Sequence, residues 1–193
     1  EKATRAHAVT AAVNRLFLDT LPCNSDKEVA SATLRVAEEL TGSRFGFIGE
    51  VNEAGTFDTI GISNPGWEAC ALPGSDANAL ITGMEVRGIW ATVLKTGRAQ
   101  IINDPGAHPD RVGVPSGHPP LTGFLGVPLM RGAQCVGMIA LANSDGGYDD
   151  DDRRAVEALA RPFTEVLQRK RLEAAARRKA TIESAGAELA RRV

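Results

Sequence analysis

Apolar residues recur at helical spacing toward both ends of the chain and alternate in the middle, and the change of period divides it into elements. Val9, Val13, Leu16 and Phe17 share one face of a 3.6-residue period, predicting a helix over 4–20 that Pro22 and Asn24 end. A second helix opens at "SDKE", where Ser25 caps and Glu28 closes a capping box. Its stripe is Val29, Thr33, Val36, Ala37 and Leu40, and Gly42 is placed to end it. In "RFGFIGEVN" the period falls to two, with Phe45, Phe47 and Gly49 on one side and Gly46, Ile48 and Glu50 on the other. "NEAG" is a turn and "TFDTIGIS" its partner strand.

Residues 67–85 read as irregular, anchored by Trp67, Cys70, Leu72, Leu80 and Ile81. Val86, Ile89, Trp90, Val93 and Leu94 return to helical spacing up to Gly97, and "RAQII" is a short strand. Residues 104–120 form a proline-rich loop that neither a helix nor a strand tolerates. "GFLGVPLM" and "QCVGMIALAN", joined by "RGA", make a hairpin apolar on both faces, with Pro128 tolerable at an edge or bulge. The run Asp149–Asp152 suits the positive end of a helix dipole. Val156, Leu159, Phe163, Val166 and Leu167 continue that helix's core stripe. Beyond Leu172 the composition turns to Ala, Arg, Lys and Glu, and one helix over 150–193 would be about 65 Å long. Leu172, Ile182 and Leu189 are too sparse for a strict heptad.

Clustered strands with flanking helices give the α+β class: a central antiparallel sheet with helices on one face and long N- and C-terminal helices. Three segments follow: an N-terminal helix over 1–21 for dimerisation, a domain over 22–170, and a C-terminal signalling helix over 171–193. Terminal helices with apolar stripes ask for another surface, which a parallel homodimer supplies.

Composition narrows the function classes. Hydrophobic residues make up 43% and charged residues 24% of the 193, ordinary for one globular domain. Net charge is −2, so no global basic field draws nucleic acid or anionic lipid. The Arg/Lys-rich tail carries interspersed glutamates, as a solvated helical linker does. No apolar run is long enough to span a membrane. Cys23, Cys70 and Cys135 lack C-x-x-C spacing and read as reduced thiols in the cytoplasm. The absence of an initiator Met suggests a segment cut from a longer chain.

Candidate chemistry gathers around the proline-rich loop. His118 is placed to ligate haem iron or hydrogen-bond an anion, against a loop-packing role. Arg111, beside His108, is suited to a carboxylate or phosphate, against a salt bridge to Asp104 or Asp110. Asn103 and Asp104 stand where the strand ends and the loop begins, with capping as their alternative. Trp67, beside Cys70, is a candidate cavity wall and Trp90 a core residue. Phe124 faces either the cavity or the helix layer. The aspartate run lacks EF-hand spacing.

"TGRAQIINDP" followed by "FLGVPLMRGAQCVGMIALANSDGGYDDDDRRAVEALA" resembles the second half of a GAF domain, and the likeness extends over roughly residues 22–170. It implies a sheet of about six antiparallel strands, helices behind it, and a ligand cavity on the other face, roofed near 104–120. The signatures of cyclic-nucleotide binding, of bilin attachment and of the free methionine sulfoxide reductases are missing. The resemblance therefore implies a non-catalytic sensor of an unidentified small molecule within a bacterial-type signalling protein. The output domain would lie in the same polypeptide, as in a two-component sensor kinase, a cyclase or a transcription regulator. The alternatives are a ligand-free dimerisation module, a haem or redox sensor, and a small redox enzyme using Cys70 and Cys135. Fold alone does not choose among them.

Overall fold

The computed structural model describes residues 2–63, 81–113 and 118–190. The elements run α1 Lys2–Thr20, α2 Asp26–Thr41, β1 Phe45–Val51, β2 Phe57–Ile62, α3 Ala91–Thr96, β3 Gln100–Ile102, β4 Phe124–Arg131, β5 Gln134–Ala142 and α4 Asp150–Ala190. The strands form one antiparallel sheet in the order β2-β1-β5-β4-β3. Five strands stand among the described residues where the resemblance implied about six.

Local chemistry sets the ends of α2. The Ser25 hydroxyl accepts from the Glu28 amide at 3.3 Å, and the Glu28 carboxylate accepts from the Ser25 amide at 3.2 Å, closing the expected capping box. Gly42 ends the helix at φ 65°, a left-handed conformation that glycine adopts without a Cβ clash. Helix α4 opens the same way. Asp149 accepts from the amides of Asp151 and Asp152, and Asp152 returns the contact to the Asp149 amide at 3.1 Å.

Alternation holds along β1 but not along β2. Ile48 pairs with Gly61 and Gly49 with Thr59, so Ile60 is an extra residue in a bulge. Phe57 and Thr59 therefore point to one face, while Ile60 and Gly61 meet the helices on the other. Pro128 sits where β4 becomes an edge. β3 pairs only with Phe124–Gly126, so no ladder bond is lost on that side.

Two cores sandwich the sheet. On one face Leu16, Val29, Leu34, Ile48, Leu125, Ile139, Leu141, Leu159 and Phe163 join α1, α2 and α4 to the strands. On the other, Phe57, Ile89, Val93, Ile102, Phe124 and Met138 gather under α3. Helix α3 thus departs from the expected one-sided arrangement. It also starts later than its apolar spacing predicts, because Gly88 has φ 75°, which no helical residue adopts; Val86 and Ile89 reach the core from turns. In α1, Leu16 is buried while Phe17 is exposed, because the helix packs its stripe against α2 and α4 of its own chain.

At 41 residues, α4 is about 60 Å long. Its side chains are exposed from 175 to 185. Where it leaves the core, Arg171 donates to Asp26 at 2.7 Å and to both Glu50 oxygens at 2.6 and 3.2 Å. Among the described residues no helix is long and apolar enough to cross a membrane.

Candidate functional site

The face of the sheet opposite the long helices is the expected ligand side, and aromatic rings pack it densely. Phe57 sits in T-shaped contact with Phe47 at 5.9 Å and tilts against Trp90 at 5.3 Å. Its ring lies over Gly49, and the Phe124 ring lies over Gly126. Phe124 thus faces the α3 side, settling one of the alternatives left open by the sequence. Trp90 is a core contact, as expected.

The loop after β3 is held from within. Asp104 accepts from the Ala107 amide at 3.1 Å, and His108 Nδ1 accepts from the Asp110 amide at 3.2 Å. Arg111 donates through Nη1 to the Gly106 carbonyl at 2.8 Å. This is neither of the salt bridges considered for it. Asn103 is turned toward Tyr148: its side-chain amide donates to the Tyr148 carbonyl at 2.9 Å and its oxygen accepts from the Tyr148 amide at 2.8 Å. Asn103 and Asp104 therefore brace the loop. His118 lies edge-on to Phe45 at 6.0 Å, with Nδ1 2.7 Å from the Pro119 carbonyl. Trp67 and Cys70 lie outside the described residues.

Three residues that sequence reasoning passed over shape this region. Asn143, at φ 61°, accepts from the Thr122 amide at 2.8 Å and donates to the Pro120 carbonyl at 2.7 Å, tying down the loop's return. Arg87 and Lys95 line a cavity of about 370 Å3 with Gly88, Ala91, Thr92, Pro109, Asp110, Arg111 and Val112. The cavity opens between α3 and the loop and includes Arg111 but not His118. No local signal marks Arg87 or Lys95, since their partner across the cleft is some 20 residues away. A second groove, about 610 Å3, runs on the other face between the β4–β5 turn and α4, floored by Val127, Pro128 and Ala160.

Burial, reinforced by the nearby Asp152 carboxylate, pushes Tyr148 up to about 12. Burial also raises Glu38, against a hydrogen bond from Ser63, and its Oε1 has no hydrogen-bond partner among the described residues. The Cys135 thiol is raised by burial, which works against a thiolate nucleophile there. Cys70, the partner considered for Cys135 in a redox role, lies outside the described residues.

A family model described as "GAF domain" matches residues 23–168. A curated relative, the methyl sulfide methyltransferase-associated sensor of Methanosarcina acetivorans, is 26% identical over 162 residues. That alignment takes in 83% of this chain and 16% of the relative, so the chain spans a small part of that protein's length. Among solved structures, the GAF domain of a phosphoenolpyruvate-protein phosphotransferase from Coxiella burnetii superposes with a TM-score of 0.72 at 12% identity, covering 88% of this chain and 98% of that one. The free methionine-R-sulfoxide reductase of Neisseria meningitidis, solved with its substrate, gives 0.66 at 16% identity over 90% and 94%. At these identities the structural likenesses establish the fold, which a domain of a phosphotransferase and a reductase share.

Proposed function

The chain belongs to the GAF domain family, and on that basis we propose that it is a non-catalytic sensing module of a longer cytoplasmic signalling protein. A small molecule held beneath the loop at 104–120 shifts the packing of that loop and α3. The sheet passes the shift to α1 and α4, which relay it within a homodimer to an output domain. The sensor name of the Methanosarcina relative supports this reading, as does a family match over residues 23–168 that leaves α1 and the last part of α4 outside it.

The observation that carries it is the two-sided role of β1. Gly49 lies under the Phe57 ring on the loop side, and the next residue, Glu50, grips Arg171 of the outgoing helix on the other. Leu18, Leu21 and Leu172 expose apolar side chains where α1 ends and α4 emerges, with relative exposures of 60–65%. Lys170 ties the two helices there by donating to the Leu21 carbonyl at 2.9 Å. A second copy of the chain would cover this apolar surface. A small repacking at such an interface is a known mode of switching.

Native mass spectrometry of the purified chain, followed by denaturing release, tests the reading. The expected result is a dimer carrying a stoichiometric small molecule. An empty dimer whose melting temperature is unmoved by a metabolite screen would overturn the sensing role. It would favour a ligand-free dimerisation module, a reading that the dense packing of Phe57, Phe124 and Met138 on the sheet face supports. Full signalling after replacing both Cys70 and Cys135 with Ser would remove the redox alternative.

A further inference from the structure

We infer that the cleft between α3 and the loop segment 109–112 is a binding site for a small oxyanion, a molecule bearing a phosphoryl group or paired carboxylates, held by Arg87, Lys95 and Arg111. The inference rests on the sensing reading only for what binding does, not for whether it occurs.

The lining is cationic against the trend of the chain. Three basic residues and one carboxylate, Asp110, line the cleft, in a protein whose net charge is −2. They come from three places: the turn before α3, the last turn of α3, and the loop. Their existing partners leave capacity for a ligand. Lys95 has no ion-pair partner among the described residues. Arg87 meets Glu85 at 3.4 Å with both side chains well exposed, a pairing an incoming anion readily displaces. Arg111 commits Nη1 to the Gly106 carbonyl, which orients the guanidinium while its remaining donors meet no other acceptor among the described residues. An arginine fork fixed in this way suits a planar carboxylate or a phosphoryl group.

The walls are built. A Cβ on Gly88 would stand 2.8 Å from Val112 Cγ2, so the loop reaches α3 because residue 88 is glycine. The Arg111 amide donates to the His108 carbonyl at 3.1 Å. Together with the His108–Asp110 contact, this holds the loop wall in one turn. Ala91, Pro109 and Val112 offer apolar contact for a carbon skeleton. The volume, about 370 Å3, lies at the low end of ligand pockets, roughly 300–1,000 Å3. No strand residue lines the cleft, so it is separate from the packed face of the sheet. Binding would still reach the sheet, since Val93 of α3 presses on Gly126.

The test is amide NMR on the 193-residue chain, titrated with inorganic phosphate and separately with succinate at constant ionic strength. The expected result is saturable shifts at Gly88, Thr92, Lys95 and Val112 with one of the two probes, and the probe that saturates names the headgroup. Lys95→Gln, on the exposed side of α3, should weaken binding roughly tenfold or more without altering the remaining spectrum. Arg111→Lys should bind more weakly than wild type and more tightly than Arg111→Gln. Shifts that never saturate with either probe, or saturable binding indifferent to Lys95→Gln, would overturn the site. A small molecule found by mass spectrometry in a chain that fails this titration leaves the sensing reading standing and this site refuted. Saturable binding in the cleft with unmoved α4 amides supports the site and overturns the relay.

Discussion

Tyr148 is the chain's one tyrosine, and its hydroxyl ends a buried relay. The Thr41 hydroxyl donates to the Ala37 carbonyl at 2.8 Å; Ser43 Oγ lies 2.6 Å from Thr41 Oγ1 and 2.8 Å from the Tyr148 oxygen. A phenolate there would lose solvation, and burial pushes the group up to about 12 from the ordinary value near 10. The folded state then holds its proton more tightly than the unfolded chain. The associated stability is fully present below pH 10 and is lost as pH rises from about 10 to about 12. Absorbance at the phenolate band should show a single ionisation near 12, and urea midpoints should fall across the same window. An ionisation near 10 in the folded protein would contradict this environment. Contacts of this kind were not legible in the sequence. Ser43 and Tyr148 are 105 positions apart, and Asn103 and Tyr148 are 45 apart. Ser25 and Glu28 were legible because both partners of that bond lie within one turn. The same limit applies to the candidate site: the sequence offered Arg111, while Lys95 is placed beside it only by the fold.

Periodicity identified most elements, because an amphipathic helix or strand must repeat its own pitch. It missed where one backbone angle or one extra residue intervenes: Gly88 delays α3, and Ile60 turns β2 over. Contact between elements is tightest where glycine removes a side chain. On β4, a Cβ at Gly126 would stand 2.7 Å from Val93 Cγ2 and 2.8 Å from the Phe124 ring. Gly126→Ala should therefore push α3 off the sheet and cost about 1–3 kcal/mol, the usual range for overpacking. It should appear as a lower urea midpoint with an unchanged slope. Ser25→Ala, which removes a cap exposed to water, should cost about 1 kcal/mol. It should lower the urea midpoint slightly and speed amide exchange most in the first turn of α2. A Gly126→Ala protein as stable as wild type would mean that the approach of α3 to β4 is looser than this packing requires.

For the molecule as a whole, the decisive junction is the one at which α4 passes from a packed helix to an exposed one. Up to Leu167 its stripe is buried; from 175 to 185 its side chains are exposed. Between them Arg171 binds Asp26 of α2 and Glu50 of β1, and Arg131 stands 3.7 Å from the same Glu50. An isolated helix of some 20 residues is marginal in water, so this cluster fixes the direction in which the tail leaves, and it ties that direction to β1. Arg171→Gln keeps the length and removes the charge. It should cost about 1.5–3 kcal/mol, as loss of charged hydrogen bonds does. Amide exchange should rise through 168–185 while the protection of β1, β5 and α2 holds. If the relay is correct, ligand-dependent changes in tail exchange should vanish in the same variant while binding in the α3 cleft is preserved. A tail that still responds in Arg171→Gln would mean that the signal travels through α1, whose contacts with α2 and α4 offer the other continuous route from the domain to its end.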